Sequence, residues 1–319
     1  MAPHNITHLL IDFLNAQLKV WPIAAERYAA LNNVVTREVL VSDFRVRLQF
    51  NPARVNSVSA NVDRKYIDSR PCFLCSSNRP SEQLVLNPLE FEDLGFDVLI
   101  NPFPIFPQHF TIASREHKPQ DSVDVFEMAK ISLCLPGMVT FFNGAEAGAS
   151  APDHLHLQCG NIDFLPLCRE MQNNPGQLLV STGTFKAYYN AGLPMETVHF
   201  VSQEMTDEIK FWLDTLLPVC EATGMPQTGR RNILMWPDDE GLLHTLMFPR
   251  KAHRPSCYFA SEDKGRLMVS PGAVDMAGVL ILPREEDYKL ISKSDIRKIY
   301  SEVSFSFMDT LQFQKLMLL

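Results

Sequence analysis

The sequence lacks the features that would place it in a membrane, in the secretory pathway or on nucleic acid. No apolar run in its 319 residues reaches the roughly 18 residues needed to cross a bilayer. The segment from Met1 to Thr7 does not join a basic stretch to an apolar one, so no secretory signal is expected. The formal net charge of −8 argues against general binding of nucleic acid or anionic membranes. We therefore expect a cytoplasmic protein with neither a nucleic-acid nor a membrane partner.

A disulfide framework is not expected either. The chain has seven cysteines, an odd number, and in a reducing compartment these are thiols or metal ligands. Only Cys72 and Cys75 form a C-x-x-C pair, which alone is compatible with a redox pair, with two incidental thiols or with half of a zinc site. A zinc site would have to recruit histidines. The candidates in the same half of the chain are His109, His117, His154 and His156.

What is present is an ordinary globular composition, 46% hydrophobic and 21% charged, in a chain long enough for one large domain or two of about 150 residues. Helical and strand periodicities alternate along it, which predicts an α+β fold. Amphipathic helices are expected at 5–31, where Pro22 interrupts the pattern, at 123–135 and at 204–220. Strands are expected at 44–50, 98–100, 109–113, 138–142, 233–236 and 242–248, and a strand, an acidic turn and a helix opened by Ser292 or Ser294 at 280–304.

Two segments of similar sequence indicate an internal repeat. Residues 113–119 and 249–255 each pass from an apolar strand to an arginine, a histidine, a basic residue and a proline. We interpret them as marks of two copies of one α+β unit. A loop at 173–176 gives the expected boundary, with one unit at 1–175 and the second at 176–319.

The densest cluster of chemically active residues is the alternating segment His154-Leu155-His156-Leu157-Gln158. On a strand, the three polar side chains would share one face and the two leucines would pack in the core. Paired imidazoles beside an amide suit nucleophilic or metal chemistry. The preceding loop contains Asn143-Gly144 and Gly148-Ala149-Ser150, small residues that let backbone N–H groups approach a phosphate.

A basic stretch lies near the cysteine pair. Between positions 44 and 79 there are seven basic and two acidic residues, a local charge of +5 in an acidic protein. A solvated strand face would explain the charge, but its position next to the cysteines favours phosphate binding by some of these arginines. The basic residues are Arg45, Arg47, Arg54, Arg64, Lys65, Arg70 and Arg79.

These motifs together resemble the galactose-1-phosphate uridylyltransferase branch of the histidine-triad (HIT-like) superfamily, which includes diadenosine tetraphosphate phosphorylases and GDP-hexose phosphorylases. The resemblance covers most of the chain from about Arg54 to Ser304. It implies a HIT-like α+β fold of two repeated units, each with a mostly antiparallel sheet packed by helices. It departs from the uridylyltransferases in having Leu155 where they have proline and in the longer approach through Asp153.

The resemblance also implies roles for particular residues. His156 would be the nucleophile, and Gln158 would take the place of the third histidine of the hydrolytic members, with Ser150 as a further donor. Arg54 and Asn101 would contact the nucleotide and its phosphates, together with the loop residues Asn143, Gly144 and Gly148. A structural zinc ion would be bound by Cys72, Cys75, His117 and His154.

The expected activity is nucleotidyl transfer from a nucleoside diphosphate sugar through a covalent nucleotidyl-histidine, with inorganic phosphate or a hexose 1-phosphate as acceptor. Two alternatives remain open: a dinucleoside polyphosphate phosphorylase or hydrolase, and a non-catalytic zinc-stapled protein that only binds nucleotides. A homodimer is expected from the resemblance alone.

Overall fold

The structure is a computed structural model that describes residues 6–190, 192–211, 213 and 230–305. The predicted helix 204–220 therefore lies only partly within the described residues, and position 5, where the first predicted helix begins, lies outside them. The α-helices with described bounds are α1 Ile6–Val20, α2 Pro22–Ala30, α3 Val55–Val58, α4 Arg64–Ser69, α5 Leu89–Glu92, α6 Val125–Leu133, α7 Pro166–Asn173, α8 Ser256–Phe259, α9 Ala273–Met276, α10 Glu285–Leu290 and α11 Lys293–Val303.

Two β-sheets form the framework. Three strands pair in the order β1-β2-β12, with β12 parallel to β2. Nine strands pair antiparallel in the order β3-β4-β6-β5-β10-β11-β9-β8-β7. The strands are β1 Val35–Val41, β2 Phe44–Phe50, β3 Phe96–Ile100, β4 His109–Ser114, β5 Met138–Asn143, β6 His156–Asn161, β7 Gln177–Ser181, β8 Phe185–Asn190, β9 Thr197–Ser202, β10 Arg231–Pro237, β11 Leu243–Pro249 and β12 Val279–Leu282.

Local sequence signals explain where several elements begin and end. Pro22 begins α2 as its first residue, a position that needs no backbone N–H, so the predicted interruption of the first helix is confirmed. The alternation in β2 buries Phe44, Val46 and Leu48, as expected for a half-buried strand. Ser292 caps α11 in a capping box, which confirms the first of the two predicted caps.

The contact between β5 and β10 joins the two parts of the chain into one sheet. These strands pair antiparallel from Thr140↔Met235 to Asn143↔Asn232. Outward from this pair, one half of the sheet continues with β6, β4 and β3, and the other with β11, β9 and β8. The predicted α+β class with antiparallel sheets and packing helices is confirmed. The boundary at residue 175 stays a prediction.

Each face of the large sheet has its own hydrophobic core. One face packs against α1, α2 and α6 through residues such as Leu10 and Met128. The other face packs against the three-stranded sheet, α7 and α11, with Trp236 and Tyr300 among its fully buried side chains. No helix in the described parts of the chain combines the length and the apolar character needed to cross a membrane.

Candidate functional site

His156 opens strand β6 and lies almost fully buried at the edge of a pocket. Its Nδ1–H donates to the backbone carbonyl of His154 at 2.9 Å, so the lone pair resides on Nε2. Burial lowers the pKa of His156 to about 4, and the imidazole is therefore neutral at neutral pH. The side chain thus presents a neutral nitrogen of defined tautomer.

The strand begins later than the sequence pattern suggests. We expected His154 to share a strand face with His156 and Gln158, but His154 lies in a turn before β6. The prediction of a strand over all five residues was wrong at its start, because the chain there must bring His154 to the cysteine pair. Leu155 and Leu157 are buried in the core as expected.

Gln158 is fixed by two donors on its carbonyl side. Its Oε1 accepts a hydrogen bond from Asn101 Nδ2 at 3.0 Å and another from His109 Nε2 at 2.9 Å. His109 Nδ1 accepts from the Ile105 N–H at 3.1 Å, so the ring proton resides on Nε2. Because the oxygen is fully engaged, the amide –NH2 of Gln158 is the group left to donate into the pocket that this residue lines.

The loop at 144–150 is held by the second half of the chain. Asn143 Oδ1 accepts from Ala273 N–H at 2.7 Å and from Asn232 Nδ2 at 2.9 Å. Gly148 has φ +97° and lies so close to the Gly272 backbone that a side chain would collide with it. The loop and the Gly272–Ala273 segment therefore form one wall of the pocket, and the half-buried Ser150 is among the lining residues.

Arg54 is the basic residue whose charge reaches the pocket from the predicted arginine cluster. Its Nη1–H donates to the Phe103 carbonyl at 2.6 Å, and its buried Nε has no hydrogen-bond partner. Burial lowers the pKa of Arg54 to about 10, which leaves it protonated at neutral pH. The residue is half-buried and lies near the Asp275 carboxyl group, and its unused N–H group is available to an anion in the pocket.

The other arginines of that stretch serve the structure. Arg70 pairs with Asp153 and Arg79 pairs with Asp97, each at 2.7 Å. Arg47 donates to the Phe164 carbonyl, away from the pocket. Of the seven basic residues between positions 44 and 79, all of them described, Arg54 alone lines the pocket.

The pocket has a volume of about 480 Å³ and is lined from both halves of the chain. It brings together most of the predicted catalytic and substrate-binding residues, whereas Gly144 lies behind it and donates its N–H to the Arg231 carbonyl at 2.9 Å. Sequence reasoning missed the contributions of the second half, because no motif marks them and only the fold places them near β6. The predicted residues that line the pocket are Arg54, Asn101, Asn143, Gly148, Ser150, His156 and Gln158; the missed ones include His253, Arg254, Ser270, Gly272 and Asp275.

The four predicted metal ligands form a possible metal site. The ligand atoms of Cys72, Cys75, His117 and His154 all lie within 4.8 Å of one another. His154 Nδ1 is 3.3 Å from Cys72 Sγ, 3.6 Å from Cys75 Sγ and 3.3 Å from His117 Nδ1. The Nε2–H of His154 donates to the Ser114 carbonyl at 2.7 Å, which turns its Nδ1 lone pair toward the thiols. A metal ion bound there would connect the Cys72 loop directly to the residue two places before His156.

A family model described as a domain of unknown function, DUF4922, matches residues 13–161, a segment that contains every predicted site residue. A search of curated proteins finds no match. Among solved structures, yeast Ap4A phosphorylase Apa2 is similar with a TM-score of 0.57 and 17% identity over 89% of this chain and 96% of the yeast chain.

The same yeast enzyme in complex with Ap4A matches with a TM-score of 0.57 and 16% identity over 89% of this chain and 96% of the yeast chain. Its complex with AMP matches with a TM-score of 0.55 and 17% identity, covering 91% of this chain and 96% of the yeast chain. At this level of identity the likeness establishes the fold, and the predicted HIT-like architecture is thereby confirmed.

Proposed function

We propose that this protein is a nucleotidyltransferase of the phosphorylase type, which moves a nucleoside monophosphate group from a dinucleoside polyphosphate to inorganic phosphate through His156. The observation that carries the proposal is the geometry of His156, a neutral imidazole whose Nδ1–H is bound to a carbonyl and whose Nε2 therefore holds the ring lone pair at the pocket. A binding protein has no need for a nucleophile prepared in this way.

In the first step, the Nε2 lone pair attacks the α-phosphorus of the donor. The bond from that phosphorus to the bridging oxygen breaks, and the oxygen leaves with its electron pair as the terminal phosphate of a nucleoside polyphosphate. Charge on the equatorial oxygens is met by the protonated Arg54 and by the amide –NH2 of Gln158. Ser150 and the backbone around Gly148 supply further donors from the loop.

In the second step, an oxygen of inorganic phosphate attacks the same phosphorus. The P–N bond breaks, its electron pair returns to Nε2, and a nucleoside diphosphate is released. A glutamine in the place of the hydrolases' third histidine supports an acceptor other than water, because an amide does not titrate and cannot serve as a base toward a water molecule.

We favour a dinucleoside polyphosphate over a nucleotide sugar as donor. The yeast enzyme that shares this fold is named for its action on Ap4A, and its solved complexes contain Ap4A and AMP. We have no corresponding observation for a hexose phosphate, so sugar nucleotides remain the second class to test. The two-unit division at residue 175, which rests on the loop at 173–176, and the homodimer, which rests on the resemblance, stay predictions.

Zinc is our proposal for the metal at the cysteine–histidine cluster. Tetrahedral zinc with sulfur and nitrogen ligands places those ligand atoms about 3.3–3.8 Å apart, and the measured contacts of 3.3–3.6 Å agree with this geometry. Four protein ligands close the coordination sphere. The ion would be structural, and all chemical steps belong to the pocket residues.

The test is the intact mass of the pure protein after incubation with a dinucleoside tetraphosphate and no acceptor. We expect a gain of one nucleoside monophosphate that phosphate discharges as a nucleoside diphosphate. The adduct should be absent in His156→Ala and unchanged in His8→Ala, which replaces an exposed histidine of α1.

Nucleotide sugars incubated separately give the contrasting result. If an adduct forms only from nucleotide sugars, they are the donor class in place of dinucleoside polyphosphates, and His156 is still the nucleophile. Hydrolysis at equal rates with and without phosphate would identify a hydrolase. No adduct from any donor, with tight nucleotide binding, would overturn the transferase proposal in favour of a binding protein.

A further inference from the structure

The pairing of β5 with β6 stops short of the reactive histidine. The two strands pair in register from Met138↔Asn161 to Phe141↔Gln158. Continued by two residues, this register would place Asn143 directly opposite His156 and let their backbones exchange hydrogen bonds. The strands instead separate at this point, because residues 144–155 between them form the wall of the pocket. The facing backbone groups of these two residues need other partners.

The side chain of Gln120 occupies the gap. Its Oε1 accepts from the His156 N–H at 2.9 Å, and its Nε2–H groups donate to the His156 carbonyl at 2.9 Å and to the Asn143 carbonyl at 2.8 Å. The side chain has no exposed surface, so it cannot touch a substrate. One carboxamide thus replaces the missing rung of the ladder and holds the strand ends at a fixed separation.

Gln120 is itself held from several directions. It lies in a 3-10 turn, Gln120–Ser122, and its backbone N–H donates to the Pro152 carbonyl at 3.0 Å. Leu155 N–H donates to the Lys118 carbonyl at 2.7 Å just before the turn. Asp121, the next residue, accepts from the Ala145 N–H of the pocket loop at 3.3 Å. The turn therefore contacts the loop at both of its ends.

We infer that Gln120 is a positioning residue for the reaction, a spacer that keeps the His156 backbone and the Asn143 strand end apart and in line with the pocket. The inference rests on the proposed function. A nucleophile must approach phosphorus within a few tenths of an ångström of its productive position, and displacements of about 1 Å cost on the order of 10²-fold in rate. Gln120 holds the N–H and the carbonyl of His156 and the neighbouring carbonyl of Asn143, and these three hydrogen bonds provide this precision.

Two replacements separate the parts of this role. Gln120→Met keeps the length of the side chain and removes all three hydrogen bonds. Gln120→Glu keeps its shape but turns an oxygen toward two carbonyl oxygens. Gln17 offers a matched control, because it is also fully buried and also bridges backbone groups, donating to the Glu82 carbonyl at 2.7 Å and accepting from the Leu84 N–H at 2.6 Å.

The experiment measures single-turnover adduct formation from a dinucleoside tetraphosphate, nucleotide affinity and thermal unfolding in each variant. We expect both Gln120 variants to form the adduct about 10²-fold more slowly with affinity changed less than about threefold. Gln17→Met should lose a similar amount of thermal stability and keep the wild-type rate. Hydrogen exchange at the His156 amide, followed without any substrate, should be at least about tenfold faster in Gln120→Met and unaltered in Gln17→Met.

The outcomes are distinct. If the Gln120 variants form the adduct as fast as the wild type, or if Gln120→Met protects the His156 amide from exchange equally well, the role of Gln120 is overturned and the proposed transferase activity is unaffected. A rate loss in Gln17→Met as large as that in Gln120→Met would reduce both to ordinary structural contacts. The absence of an adduct in the wild-type protein would overturn the proposed function, and with it any positioning role.

Discussion

Both halves of the nine-stranded sheet carry buried histidines on the same face, but they are used in opposite ways. In the first half, His156 lies at a strand end that faces the pocket. In the second half, His199 and His244 are linked, with Nε2 of the former 2.9 Å from Nδ1 of the latter. The ring of Trp236 stacks on His244 at 5.0 Å and closes the pair off.

The connections between the central strands explain this difference. Residues 144–155 join β5 to β6 and spread the strand ends around a pocket. Residues 238–242 join β10 to β11 as a tight turn, in which Asp238 Oδ1 accepts from the N–H groups of Glu240 and Leu242. Histidine side chains are present in both halves. The difference between the halves is that the long connection from β5 to β6 leaves room for a pocket beside its histidine, whereas the short connection from β10 to β11 does not.

The largest effect should come from the nucleophile itself. His156→Ala should lower turnover by at least about 10⁴-fold, because it removes the proposed nucleophile. His244→Phe should leave turnover within about threefold, since that ring stacks on Trp236 away from the pocket. Steady-state assays with a dinucleoside tetraphosphate check both. If the two variants lose turnover to a similar extent, the proposal that only the histidine of the first half takes part in the reaction is wrong.

The next largest effect should come from loss of the proposed metal ion. Cys72→Ser should remove one equivalent of zinc, measured by elemental analysis, and lower the free energy of unfolding by at least about 3 kcal/mol, because the proposed ion would link the Cys72 loop to His154. Cys134→Ser changes a thiol that is not part of the cluster and should retain the metal. Full metal content in Cys72→Ser would contradict the assignment.

The anchor of Gln158 should matter less than the nucleophile. His109→Phe removes one of the two donors to Gln158 Oε1 and leaves the amide held by Asn101 alone, which should slow adduct formation about 10²-fold with little change in nucleotide affinity. Gln158→Glu removes the –NH2 donor and should have a similar effect. The double variant should be no slower than the slower single one, as expected for groups that act as a unit. Additive losses would show that His109 acts independently of Gln158.

The smallest predicted effect concerns the stability of the protein in acid, through the buried pair His199 and His244. Burial lowers the pKa of His199 to about 3 and also lowers the pKa of His244, whose neighbours are Asp238 and Trp236. The folded protein therefore favours the neutral ring, and stability present above pH 6.5 is lost as pH falls toward 3. Between pH 7 and 5 the wild type should lose about 2 kcal/mol that His199→Phe does not lose. The free energy of unfolding in urea, measured against pH for the wild type and for His199→Phe, checks this. Parallel curves for the two proteins would contradict the prediction.

The sequence predicted which residues of the first half would lie close together, because they fall in short motifs with local causes. The C-x-x-C pair and the histidine before β6 come together as expected. Gln120 and His109 acquire their roles only through hydrogen bonds to backbone or side chains many residues away, and no spacing rule reports such contacts. The register of β5 with β6 had to be known first.

The internal repeat was a weaker basis for the fold. The two similar segments, 113–119 and 249–255, lie at the ends of β4 and β11, which are the second and the first strand outward from the central pair. The segments therefore do not occupy equivalent places, even though the strand order itself runs symmetrically from the centre. A short polar motif after a strand recurs for local reasons, whereas strand order is set by long-range pairing.

The central pairing of β5 with β10 has a consequence for any attempt to divide the molecule. Arg250 is fully buried and donates to Asn232 Oδ1 at 2.6 Å, and Asn232 in turn donates to Asn143. A fragment ending at residue 175 would keep every predicted catalytic and metal residue yet leave β5 as a bare edge. We expect such a fragment to be inert alone and to regain nucleotide binding when expressed together with residues 176–319, which makes the chain a natural subject for split-protein complementation.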